Sequence, residues 1–133
     1  MIKFGDLGIG SLFKYQGTMY NKITKNTAIS ATANSLSFEP EEEIKGIVKM
    51  KVIIETISNL YKLVELATES NLPLIASQGS YVVCASSIMG LCSLDLREPI
   101  EIRLNNAYDH VSEYQEWAFD NFCDKYSKFS KGE

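Results

Sequence analysis

Arginine is nearly missing from this chain of 133 residues: Arg97 and Arg103 are the only two, and the formal charge is -4 with an isoelectric point near 5.1. Surfaces that hold nucleic acid or an anionic membrane cluster Lys and Arg against phosphate, so this balance argues against both partners. Histidine is scarcer still, with His110 alone. Placed at the start of a helix, it reads as an exposed or capping residue. No apolar run reaches the roughly 18 residues of a membrane-spanning helix, and the start Met1-Ile-Lys-Phe-Gly5 lacks the form of a signal peptide. A cytoplasmic location is the expectation. Cysteine is sparse and odd in number, Cys84, Cys92 and Cys123 with no Cys-x-x-Cys pair, which argues against a disulfide framework or a zinc site. Reduced thiols filling small apolar positions are expected, with no metal and no cofactor.

What is present is an ordinary globular composition, 45% apolar and 23% charged, long enough for one main core and a small appendage. The chain divides at the charged stretch Glu39-Pro40-Glu41-Glu42-Glu43 with Ile44-Lys45-Gly46, read as a connector. Residues 1–43 before it predict a small β meander: Leu12 to Tyr15, Met19 to Thr24, Thr27 to Ala31 and Ser35 to Phe38, with turns at Gln16-Gly17 and Lys25-Asn26. A module of this size buries little surface alone, so it leans on the rest or on a partner. Its unpaired strand edges leave room for a homodimer. The run Gly5-Asp-Leu-Gly8-Ile-Gly10 has the look of a phosphate loop, but lacks the preceding strand, the following helix and the Lys-Ser/Thr that such a loop needs. Turn glycines are the reading. The segment is also similar to short β modules of phage-encoded and bacterial accessory proteins.

Residues 48–127 read as a second domain, followed by a flexible tail, 128–133. Lys51 to Glu55 is rich in Val and Ile, as a strand requires. Ser58 or Asn59 can cap a helix with Leu60, Leu63, Val64 and Ala67 on one stripe, closed by Asn71 and Pro73. Leu74 to Ser77 and Tyr81 to Cys84 form a hairpin around Gln78-Gly79. Ser86 or Ser87 starts a short helix, Ile88 to Leu94, and Ile100 to Leu104 alternates as a half-buried strand. The last helix, about Asp109 to Tyr126, turns Val111, Tyr114, Trp117, Ala118, Phe122 and Cys123 inward and Glu113, Glu116 and Asp120 outward.

The order is strand, helix, strand, strand, short helix, strand, helix. Ser87-Ile88-Met89-Gly90-Leu91-Cys92-Ser93-Leu94, after a strand and with Leu63-Val64, Ala67 and Gly79 in place, resembles the block around the regulatory serine of HPr, the histidine phosphocarrier family of the bacterial sugar phosphotransferase system. The resemblance spans Lys51 to Tyr126. It implies an α+β fold, an HPr-like open-faced β-sandwich of order βαββαβα, whose antiparallel four-stranded sheet carries its helices on one face, here preceded by the meander.

The resemblance also implies where the chemistry should be. The family carries its phosphoryl acceptor, a histidine in Gly-Leu-His-Ala-Arg-Pro, at the start of the first helix. Here that stretch is Glu55-Thr56-Ile57-Ser58-Asn59-Leu60, with no His, Arg or Pro, and neither Thr56 nor Ser58 has a base beside it in sequence to activate a hydroxyl. Asp95, Glu98 and Glu101 form no acid and base pair and read as solvated charges. What the resemblance implies instead is a regulatory surface: Ser87 as a phosphosite candidate, against its simpler role as helix cap, and Ile88, Met89 and Cys92 as the patch on which a protein partner docks. The expected function is thus a non-enzymatic HPr-like regulatory or protein-binding protein without carrier activity. The alternatives are a phage or mobile-element accessory or inhibitor protein on the same scaffold, and a carrier with a hydroxyl acceptor.

Overall fold

A computed structural model describes residues 2–105 and 113–130. The strands are β1 (Ile2–Lys3), β2 (Leu12–Tyr15), β3 (Thr18–Lys22), β4 (Thr27–Ser30), β5 (Ser35–Ser37), β6 (Glu43–Ile44), β7 (Ile47–Val52), β8 (Leu74–Gln78), β9 (Tyr81–Cys84) and β10 (Ile100–Leu104). The helices are α1 (Ile57–Ser70), α2 (Ile88–Cys92) and α3 (Glu113–Ser130). The fold is α+β, built on one large antiparallel sheet.

That sheet has eight strands in the order β5-β4-β3-β2-β7-β10-β8-β9. The expected four-stranded sheet is therefore half of a larger one, and β2 to β5 continue it. The cause lies in β7, which starts at Ile47 rather than at Lys51 and so presents a longer outer edge. A free edge is a template for another strand, and β2 takes it, with Leu12 opposite Lys49 and Phe13 opposite Ile47 across a register shift. The connector is part of the fold as well: Ile44 in β6 lies opposite Ile2 in β1, and both are buried.

Alternation explains the second half. Ile100, Ile102 and Leu104 of β10 are buried and Glu101 and Arg103 only partly so, the pattern of a strand with one face under cover. Each such side chain, fully buried, contributes about 1.5–3 kcal/mol. α3 packs on β7 and on α1, and α2 packs on α1 and β9. α1 buries Leu60, Leu63, Leu66 and Ala67, with Val64 partly covered. Its cap is Thr56 rather than Ser58 or Asn59: the Thr56 hydroxyl accepts from the Asn59 N–H at 3.1 Å, and extended backbone at Thr56 puts the helix start one residue later. Asn71 closes the helix in the left-handed conformation.

α3 departs from expectation in which side it buries. Phe119, Phe122, Cys123, Tyr126 and Ser127 are buried, whereas Tyr114 and Trp117 are exposed. Asp120, expected in water, is half-buried and accepts hydrogen bonds from the N–H groups of Gly46 and Ile47, both at 2.9 Å. The helix runs on to Ser130, through the first residues of the expected tail. His110 and Val111 lie outside the described residues. Among the described residues no helix is long and apolar enough to cross a membrane.

Candidate functional site

A five-residue helix is not stable alone, so α2 exists because of its neighbours. Leu91 is fully buried beneath it and Leu94 follows into the core. Ser87 is the N-cap, its Oγ accepting from the Gly90 N–H at 3.0 Å. Gly90 lets the helix approach β9: a Cβ there would stand 3.1 Å from Cβ of Val83 and 3.2 Å from Oγ of Ser87. The Gln78 side chain holds the following loop, accepting from the Asp95 N–H at 2.8 Å and donating to the Asp95 carbonyl at 2.7 Å.

With Leu91 turned in, Ile88, Met89 and Cys92 turn out. Met89 is 85% exposed, Ile88 37%, and Cys92 is exposed. The structure thus brings together on one short helix all four residues singled out from the sequence, Ser87, Ile88, Met89 and Cys92. It also exposes Tyr81 and Val82 on β9 nearby, which sequence reading leaves unmarked, since a Tyr-Val-Val-Cys run looks like buried strand. Two of the three thiols, Cys84 and Cys92, are exposed rather than buried. Burial pushes the third, Cys123, well above its ordinary pKa, with the nearby charge of Asp120 and Asp124 adding to it, which leaves it an inert protonated thiol.

At the start of α1, the cleft lined by Ile53, Ile54, Glu55, Thr56, Ile57, Leu60, Leu96 and Arg97 offers Glu55 and Arg97 as its charged groups. Arg97 is committed to Asp95, with Nε 3.2 Å from Oδ1, a hydrogen bond that lowers the Asp95 pKa and raises that of Arg97. Thr56 is occupied as the cap.

The glycine loop 5–10 has the opposite polarity to a phosphate cradle. Carbonyl oxygens at its start, of Phe4 just before it and Leu7 within it, converge on a cation: Lys22 is 2% exposed, and its Nζ donates to both, each at 2.6 Å, while lying 4.4 Å from the centre of the Phe4 ring. Desolvation lowers the Lys22 pKa. Gly8 is required by close approach, since a Cβ there would stand 2.1 Å from the Lys51 carbonyl oxygen.

Glu101 is not a solvated surface charge either. It receives the ammonium groups of Lys49 at 3.1 Å and Lys51 at 3.5 Å and the Ser77 hydroxyl at 3.4 Å. Burial raises its pKa, but the two lysines outweigh this and hold the carboxyl below its ordinary value.

No protein-family model, no curated protein and no solved structure matches this chain.

Proposed function

We propose that this chain is a non-catalytic, HPr-like protein of the cytoplasm that works by docking a protein partner on α2. The observation that carries the reading is the exposure of Met89 and Ile88 beside Cys92 on a helix whose own anchor, Leu91, is fully buried. An apolar side chain held outward on a rigid support offers a partner a hydrophobic anchor at little entropic cost. The HPr-like part of the reading rests on the block 87–94 and on the element order of β7, α1, β8, β9, α2, β10 and α3.

Ser87 supplies a switch in this reading. Phosphate on its hydroxyl would add about -1.5 to -2 charges beside the apolar anchor. Carrier activity is not part of the proposal: the start of α1 holds Thr56, Ile57 and Ser58 where the family needs histidine, and Thr56 is already a cap.

A tagged full chain and its Met89→Asp variant, used side by side to capture partners from the native host, test the proposal. A specific partner held by wild type and lost from the variant, with the same thermal transition for both, is the expected result. A partner held equally by both would move the functional surface off α2. Incubation with phosphoenolpyruvate and the general phosphotransferase enzyme should leave the mass unchanged, and a phosphorylated form would overturn the non-carrier reading.

A further inference from the structure

The eight-stranded sheet ends in two outer strands that differ in protection. β5 is three residues long and is followed closely by Glu39, Pro40 and three more glutamates, the usual devices that keep an edge from pairing. β9, four residues long, carries neither a charge nor a proline. From Gln78 to Leu94 there is no charged residue and no proline, and Tyr81, Val82 and Cys84 are exposed.

The hydrogen-bond phase of β9 follows from its register. The Ala85 N–H donates to the Leu74 carbonyl at 3.0 Å, and Val83 lies opposite Ala76 and Tyr81 opposite Gln78. Antiparallel pairs alternate between bonded and non-bonded, so Tyr81 and Val83 bond inward to β8 while Val82 and Cys84 direct their N–H and C=O groups off the sheet. The Cys84 carbonyl also accepts from the Ser87 N–H at 3.1 Å and keeps a second lone pair.

We propose that a second copy of this chain completes this edge, its β9 pairing antiparallel to the first about a two-fold axis normal to the sheet. The outward groups fix the register. With Val83 on the axis, Val82 of each copy exchanges two hydrogen bonds with Cys84 of the other, and both copies keep α2 on the same side of the joined sheet. Charge selects the second copy as occupant. A two-fold contact sets each surface against itself, so a strand with net charge meets a strand of the same net charge. The uncharged β9 meets no such repulsion, whereas the acidic stretch after β5 would. The inference stands apart from the docking reading, because it uses the backbone of β9 and not the side chain of Met89.

Sedimentation equilibrium of the full chain over rising concentration tests it. The expected mass climbs from 14.9 kDa toward twice that value. Val82→Pro removes an outward N–H while leaving the ladder to β8 intact, and should hold the chain at the lower mass under conditions where wild type is paired. Val82→Lys, which places a charge at the seam, should do the same and serves if proline disturbs the strand. Ser35→Pro on the β5 edge should pair as wild type does. A wild-type mass that never rises, a dimer that survives in folded Val82 variants, or one lost in folded Ser35→Pro would each overturn the proposal. Amide exchange gives a second readout, slowing with concentration at Val82 and Cys84 and unchanged at Ser35 and Ser37.

Discussion

The two halves of the sheet enclose their cores by different means. Strands β7, β10, β8 and β9 lie beside three helices, and their interior is mostly aliphatic: Met50, Leu60, Leu63, Leu74, Ile100 and Ile102. Strands β2 to β5 bring no long helix of their own, and their interior is aromatic. The Phe4 ring stacks on Phe38 at 4.6 Å between centres, and Phe13 meets Phe4 at 6.0 Å and Phe38 at 5.7 Å edge to face. Large rings fill a space that few residues surround, and each carries more apolar area than an aliphatic side chain. A small meander thereby obtains a core that its length alone would not provide.

The comparison is broken most severely by removing one ring. Phe13→Ala should cost about 3–5 kcal/mol, and Ile102→Ala in the other half about 2–5 kcal/mol. Because β2 and β7 are paired, both variants should shift one shared transition in chemical denaturation, and two separate transitions would show that the halves fold independently.

Lys22 is the next test. Lys22→Met takes the ammonium donor from the buried Leu7 carbonyl and leaves the Phe4 carbonyl with the Leu7 N–H alone, a loss of about 1–3 kcal/mol. The sign of its pH dependence follows from the lowered pKa. The unfolded chain binds the Lys22 proton more tightly than the folded one, so the burial penalty is full below the folded pKa and disappears as pH rises through it toward the ordinary lysine value. The advantage of wild type over Lys22→Met should therefore grow in alkaline solution, measured by denaturant melts at several pH values.

The smallest effect is expected at Tyr126, on the helical side. Burial pushes its phenol up to about 12, and its hydroxyl is buried without a hydrogen-bond partner among the described residues. Tyr126→Phe should be neutral or stabilise by about 1 kcal/mol, since it removes an unsatisfied polar atom and keeps the ring. A clear loss of stability would reveal a partner for the hydroxyl.

Local signals were legible in the sequence and placement was not. β2 falls where its flanking turns bound it and β10 where alternation puts it, and Ser87 caps α2 because capping depends only on the next three residues. β1 and β6 are two residues each, too short to show a period. α3 misleads because Tyr114, Trp117, Phe119, Phe122, Tyr126 and Phe129 surround the helix, so its apolar residues define no single stripe. Lysine is rarely buried, yet Lys22 is buried on the strand face it shares with Tyr20. Its burial depends on carbonyls from residues 4 and 7, which no local pattern reveals. The exposed edge at β9 was illegible for a similar reason, since which strand lies outermost depends on the order of all eight.

One contact sets a schedule for the whole chain. The Ser127 hydroxyl, near the end of α3, reaches the carbonyl of Asp6, and α3 packs on β1. Residues 2–6 are thus packed against a helix that is synthesised long after them. At about 5–20 residues per second, β1 and Asp6 wait roughly 6–24 seconds for the helix that packs against them, and a nascent chain stalled before α3 would leave that side of β1 uncovered.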